Sequence, residues 1–324
     1  MRKFSIVVPV YNRPQEVEEL LESLAQQDYP HLEVRIVEDG SVDRCEEVVA
    51  RYANQLEVHY TYKENTGQGF SRNFGWEEST GDYLITFDSD VIVPQGYFEA
   101  VNAGLDTHGY DAFGGPDTGH ASFTRLQRAM GYTMNSPFTT GGIRGGKVPQ
   151  KDFQPRGFNM GLSPEAFQKT GGFHYRDLAE DIDLALRMKA LGLKVGLIPE
   201  AGVFHKRRTS LKKFFWQVFN FGRGRVLNAL RHKGAIKLVH WFPTFFLLAC
   251  IGWALSPLVS LPLFYLGSAL LTLYLLVIGM HATVKEKNLA VGGLSVFSAL
   301  IQLLGYGSGF LKEYLRKVRG RSSQ

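Results

Sequence analysis

The chain has 324 residues, a formal net charge of +5 and 44% hydrophobic residues, room for one large domain beside a smaller one. The charge divides sharply: residues 1–200 carry 19 Lys/Arg against 29 Asp/Glu, and residues 201–324 carry 17 against 2. An acidic first part followed by a basic, strongly apolar one excludes both a disordered chain and a wholly soluble protein.

Two cysteines, Cys45 and Cys250, stand one in each part, which excludes a disulfide framework and a cysteine-based metal site. The opening MRKFSIVVPVYN turns polar after a short apolar run and lacks a cleavable apolar core, so a signal peptide is not expected. The first part is expected in the cytoplasm.

Phe4–Val10 (FSIVVPV) is a β-branched run bounded by turn residues and predicts a buried parallel strand. Pro14–Gln27 follows, with Val17, Leu20, Leu21 and Leu24 at helical spacing and a proline suited to the first turn. The alternation repeats, with strands at Val34–Val37, Leu56–Tyr62 and Tyr83–Phe87 and helices at Asp43–Tyr52, Gln68–Glu78 and Pro94–Leu105. Strands separated in this way predict right-handed βαβ units around a mostly parallel sheet, and so an α/β class. Ligands bind such sheets beyond the carboxyl ends of the strands. The polar clusters fall there: Tyr11-Asn12, Glu38-Asp39-Gly40-Ser41, Asn65 and Asp88-Ser89-Asp90. Residues 107–155 have weak periodicity and predict loops and short strands around a binding cleft. Regular pattern resumes at Arg156–Ser163, with a helix over Glu180–Leu191 and an apolar run at Val195–Ile198.

Between His205 and Lys237 stand ten Lys/Arg and no acid, interleaved with Phe214, Phe215, Trp216, Phe219 and Phe221. Basic residues with aromatic anchors predict helices lying in a membrane interface. The apolar segments that follow favour an anionic leaflet over nucleic acid as their partner. Leu238–Ser256, Pro257–His281 and Leu289–Leu311 are apolar stretches of 19, 25 and 23 residues, and a crossing needs about 20 in a helix. Three crossings put the loop with Lys285 and Lys287 on the side of the first domain, as positive-inside bias prefers, and the basic tail on the other. Pro257 and Pro262 leave a re-entrant hairpin of the first two segments as the alternative. The expected division is an α/β domain at 1–204, interface helices at 205–237, two to three membrane helices at 238–311 and a basic tail at 312–324.

Two carboxylates on one tight turn, Asp88 and Asp90, can hold a divalent cation, and hard oxygen ligands point to Mg²⁺ or Mn²⁺. Asp88-Ser89-Asp90-Val91 also resembles the opening motif of haloacid-dehalogenase phosphatases, with Asp88 as nucleophile, although 87 residues precede it here. Glu180-Asp181 opens a helix, where acids serve as caps and dipole partners. Asp183 and Arg187, one turn apart, read as a surface pair.

Six blocks in order, VVPVYNRP, VEDGSVD, NTGQGFSRNFG, FDSD, RGFNMGLSPEAFQKTGGF and AEDIDLALR, resemble the inverting family-2 glycosyltransferases of the GT-A fold. GRGR at Gly222–Arg225, followed by apolar segments, is similar to the membrane-anchored members that build exopolysaccharide or lipid-linked glycans. The resemblance implies a Rossmann-like GT-A domain, a nucleoside diphosphate sugar donor, Mg²⁺ or Mn²⁺, and a lipid-linked or membrane acceptor at the cytoplasmic face of the inner membrane. By the same resemblance Tyr11, beside Pro9 at the first strand's end, stacks on the nucleotide base, and Asp39 binds the base edge or ribose. Glu38 stands where many relatives have a second Asp. Arg72 would reach the base or diphosphate; its alternative is a surface pair with Glu77 or Glu78. Asp88 would bind ribose or metal, Asp90 the metal directly, and His205 the metal or diphosphate. Asn159 and Gly161 would line the sugar and acceptor wall, and Arg156 would contact phosphate. Asp181 takes the position of the family's general base, with Glu180 orienting the site. An acceptor hydroxyl is a poor nucleophile near neutral pH, and a positioned carboxylate contributes roughly 10²–10⁴ in rate. Processive members carry a Gln-x-x-Arg-Trp block that this chain lacks, which favours one sugar per event over polymer synthesis.

Overall fold

The β-branched run Phe4–Val10 forms β1, near the middle of a seven-stranded sheet in the computed structural model, which describes residues 1–120, 123–140 and 153–321. The chain continues through α1 (Pro14–Ala25), β2 (Leu32–Asp39), α2 (Glu46–Ala50), β3 (Glu57–Lys63), α3 (Gln68–Glu77), β4 (Tyr83–Phe87), β5 (Val91–Ile92) and α4 (Tyr97–His108). Next come β6 (Ala112–Gly114), β7 (Asp117–Thr118), α5 (Arg125–Asn135) and α6 (Pro137–Thr140). β8 (Asn159–Leu162), α7 (Pro164–Thr170), α8 (Glu180–Ala190), β9 (Val195–Leu197) and β10 (Val203–His205) follow. The last helices are α9 (Leu211–Arg231), α10 (Phe242–Leu255), α11 (Leu261–Glu286) and α12 (Leu289–Arg321). Two compact units result, Met1–His120 with Val148–Lys206 and Ala121–Lys147 with Arg207–Gln324.

In the first unit the strand order is β3-β2-β1-β4-β8-β6-β9. β1 to β4 pair in parallel, whereas β8 runs antiparallel to both β4 and β6. Phe4, Ile6, Val7 and Val8 are all fully buried, so both faces of β1 are covered, as a central parallel strand requires. Leu20, Leu21 and Leu24 of α1 pack on one face with Phe98 and Val101 of α4, and Trp76, Leu184 and Met188 pack on the other. Pro9, which has no N–H to give, is tolerated because β1 outruns β4. Pairing with β4 ends at Val7↔Thr86, while pairing with β2 runs on to Val10↔Glu38. A second, three-stranded sheet joins β5, β10 and β7, with β10 antiparallel to β5.

The second unit corrects one expectation. Part of the stretch read as loops and short strands, residues 107–155, is the helix α5. Its start is a reciprocal capping box: the Gln127 N–H donates to Thr124 Oγ1 at 3.2 Å and the Thr124 N–H to Gln127 Oε1 at 3.0 Å. Met130 and Met134, one turn apart, pack on Phe214 and Val218 of α9, while Tyr132 packs on Ile278 and Ala282 of α11 and Ala299 of α12. Residues 121–122 and 141–152 of that stretch, and 322–324 of the basic tail, lie outside the described residues.

Three helical stretches, Leu238–Leu258, Leu261–Glu286 and Leu289–Lys317, are long and apolar enough to cross a membrane. Leu263, Leu266, Leu270, Leu273, Leu276 and Met280 of α11 are each more than half exposed, an extended apolar surface of the kind that marks a membrane or partner contact. Pro262 sits in the first turn of α11, where no intrahelical hydrogen bond is lost. The basic helix α9 is laid against α12 backbone to backbone. A Cβ on Gly309 would come within 2.0 Å of the Phe219 carbonyl oxygen, so only glycine permits this approach. Arg223 of α9 and Arg316 bracket the buried carboxylate of Glu313 on α12, at 3.2 and 2.7 Å.

Candidate active site

β4 ends at Phe87 and the chain turns through Asp88-Ser89-Asp90 into β5. Pairing of β10 with β5 sets His205 opposite Val91, and the Lys206 N–H donates to the Asp90 carbonyl at 3.1 Å. Ligand atoms of Asp88, Asp90 and His205 thereby lie within 4.8 Å of one another. His205 Nε2 is 3.1 Å from Asp90 Oδ1 and 3.9 Å from Asp88 Oδ2. Phe158 stacks on the imidazole at a centroid distance of 4.6 Å and fixes its plane. Two carboxylates and one imidazole form a donor set that fits a divalent cation.

Arg72, expected at the base or diphosphate, stands here between two carboxylates. Its side chain is 1% exposed, with Nη2 on Asp88 at 2.6 Å and Nη1 on Glu180 at 2.9 Å. It is not a surface partner of Glu77 or Glu78. The guanidinium lies 5.2 Å from the Phe173 ring centroid and against Gly157, where a Cβ would stand 3.0 Å from it. Helix α3 carries Arg72 and also anchors the segment leading to α8. The Gly69 N–H donates to the Arg176 carbonyl, and Asn73 exchanges two hydrogen bonds of 2.8 Å with the Phe173 backbone. Arg72 thus ties the acidic turn after β4 to the first residue of α8.

Glu180, also bonded by Gln68 Nε2 at 2.8 Å, is 4% exposed. Burial and the neighbouring Asp181 carboxylate push its carboxyl up to about 8, against the pull of Arg72. Between about pH 4.5 and 8 the folded chain therefore holds a proton that the unfolded chain releases. Its contribution to stability is full below the lower value and is lost as pH rises through this window. Thermal melts across that range are expected to fall with pH for the native chain and to flatten for Glu180→Gln; parallel curves would refute this account.

Asp181, the next residue, is partly open, its side chain 20% exposed. Oδ1 accepts from the Ile182 N–H at 2.7 Å, and Oδ2 lies 3.4 Å from the Gly157 nitrogen and 3.9 Å from Arg156 Nη1. Asp183 and Arg187 are not the surface pair that their spacing suggests. Asp183 is buried, and Arg187 holds it at 2.9 Å while donating to the Thr170 and Gly172 carbonyls, so the pair clamps the end of α7 against α8.

At the ends of β1 and β2, Tyr11 is 54% exposed, and Asn12 Oδ1 ties down the Val42 and Asp43 N–H groups. Asp39 is engaged internally: it accepts from the N–H groups of Thr66 and Gly67, both at 2.8 Å, and from Lys63 Nζ. Burial pushes its carboxyl up, but these three donors hold it below the usual range. Glu38, also buried, accepts from the Cys45 N–H at 2.9 Å and the Tyr60 hydroxyl at 2.8 Å, so the extra methylene reaches the β2–α2 loop. Asn159, expected at the sugar and acceptor wall, is engaged internally. It is fully buried, with Oδ1 accepting from Tyr97 at 2.6 Å and Nδ2 donating to the Ala201 carbonyl at 2.8 Å, and both ends of the amide hold the fold together. Arg13 was missed by sequence reasoning: its Nη1 lies 3.0 Å from Asp90 Oδ2. Its position in Tyr11-Asn12-Arg13-Pro14, at the carboxyl end of β1, was the available signal.

A mostly parallel sheet with one reversed strand beside an acidic turn is the GT-A arrangement of a glycosyltransferase. A mannosyltransferase of Pyrobaculum calidifontis, PcManGT, solved in complex with GDP-Man and Mn²⁺, has this fold. It superposes with a TM-score of 0.68 over 98% of this chain and 88% of its own, at 18% identity. The chain belongs to glycosyl transferase family 2, whose model matches residues 5–169. Succinoglycan biosynthesis protein ExoA of Rhizobium meliloti strain 1021 is 26% identical over 96% of this chain and 94% of its own. The poly(ribitol-phosphate) beta-N-acetylglucosaminyltransferase TarS of Staphylococcus aureus is 35% identical over 34% of this chain, a match spanning 20% of TarS. The phosphatase likeness ends with the four residues Asp88–Val91.

Proposed function

We propose that this glycosyltransferase moves one sugar per event, with inversion, from a nucleoside diphosphate sugar to a lipid-linked or membrane acceptor. The observation that carries the reading is the convergence of Asp88, Asp90 and His205, joined through Arg72 to the helix that presents Asp181. Asp88, Asp90 and His205 would hold Mn²⁺ or Mg²⁺, which when bound neutralises charge growing on the leaving diphosphate. Asp181 accepts the proton of the attacking hydroxyl as the new glycosidic bond forms at the anomeric carbon. Its Oδ1 is held by the Ile182 N–H, which fixes the direction in which the carboxylate points. Exposed Tyr11 stacks on the nucleotide base, while Asp39 shapes the turn at Thr66-Gly67 beside it. The apolar helices and the basic face of α9 support an acceptor presented at a membrane surface, with the sheet unit on the cytoplasmic side of the inner membrane.

Nucleoside diphosphate release from a panel of nucleotide sugars tests this, using detergent-purified protein, Mn²⁺ and a membrane lipid extract. One donor is expected to give release that chelator and Asp90→Ala each lower by roughly 10²-fold or more. Equal release after chelation would remove the metal from the reading. Equal transfer to soluble and lipid-linked acceptors would remove the membrane acceptor.

A further inference from the structure

Asp90 is held from two sides, by His205 at Oδ1 and by Arg13 at Oδ2, 3.1 and 3.0 Å away. Its side chain is 10% exposed against 32% for Asp88, so an ionised Asp90 needs a close counter-charge. The two arginines of this turn differ in freedom. Arg72 is locked between two acids beneath Gly157, whereas the Arg13 side chain is 35% exposed. Arg13 comes from the short turn between β1 and α1, two residues after exposed Tyr11, where Asn12 and Pro14 constrain the backbone and the side chain is long.

A guanidinium and a divalent cation on one carboxylate repel each other strongly at such separations. Only the exposed partner has room to leave. We infer that Arg13 is a positioning residue that competes with the divalent cation for Asp90 and, once displaced, pairs with the diphosphate of the donor. The inference rests on the metal-site reading above. A planar guanidinium with several donors suits phosphate oxygens, and its release at the moment of cation binding makes diphosphate binding follow the metal.

Mn²⁺ binding to the detergent-purified full chain, without nucleotide, is read from the paramagnetic resonance signal of free Mn²⁺. Arg13→Ala is expected to bind Mn²⁺ about tenfold tighter than the native chain, and Arg13→Lys, with a shorter reach, to fall between them. At saturating Mn²⁺, inorganic pyrophosphate is expected to bind Arg13→Ala about tenfold more weakly by calorimetry. Unchanged or weaker Mn²⁺ binding in both Arg13 variants overturns the competition, and unchanged pyrophosphate affinity overturns the transfer to diphosphate. Asp90→Ala separates the two levels. If it binds Mn²⁺ as the native chain does, the metal-site reading itself fails, and this inference with it.

Discussion

Asp181→Asn is expected to lower kcat by roughly 10²–10⁴ while leaving the Mn²⁺ affinity of the Asp88–Asp90–His205 cluster unchanged. Asparagine keeps the shape of the side chain and an oxygen for the Ile182 N–H, so the start of α8 has no reason to move. What it loses is the capacity to take a proton. The partly open position of Asp181 beside Gly157 and Arg156 leaves one carboxylate edge for an incoming hydroxyl. Steady-state rates at saturating donor and acceptor, with Mn²⁺ binding measured beside them, give the answer. A loss smaller than about tenfold would transfer the base role to another group.

The second large effect concerns stability. Arg72→Met leaves Asp88 and Glu180 facing each other across an apolar side chain. Asp88, 32% exposed, can turn to water, but Glu180 cannot. Measured above about pH 8, where Glu180 is ionised in the native chain, removing its partner costs up to about 3–5 kcal/mol, which lowers the melting temperature by on the order of 10 °C in a unit of this size; at lower pH Glu180 is already protonated and the loss is smaller. Glu180→Gln in the same chain removes the stranded charge and is expected to return more than half of that loss. The double-mutant cycle by thermal denaturation measures the coupling. Additive losses would mean that Arg72 and Glu180 do not act on each other.

The strands β1 to β4 were legible because each is a short, continuous apolar run between turn residues, and the polar ends of those runs located the site. The small sheet of β5, β7 and β10 was not. Each strand has two or three residues, and β10 meets β5 across more than a hundred positions of chain. No local pattern encodes that pairing, yet it carries His205 to Asp90. Arg72 and Asn159 show the same limit. Arginine after a glycine-rich turn and asparagine in the RGFNMG block both suggest ligand contacts, whereas the partners they take here, Phe173, Gly157, Tyr97 and Ala201, lie far away in sequence. For α5 the signal was present, since Thr124 and Gln127 form a capping box and Leu126, Met130 and Met134 share one face. Gly131 and the surrounding polar residues diluted its periodicity.

The placement of α5 bears on how such an enzyme can be taken apart. The chain leaves the sheet unit after His120, gives α5 to the helical unit, is back in the sheet unit at β8 and leaves it again after Lys206, so no single cut yields two intact pieces. A fragment ending at Lys206 would carry α5 with Met130 and Met134 stripped of Phe214 and Val218. Expression of either unit alone would therefore require two cuts and a rejoining, and the similarity to ExoA likewise runs through both units, over 96% of this chain.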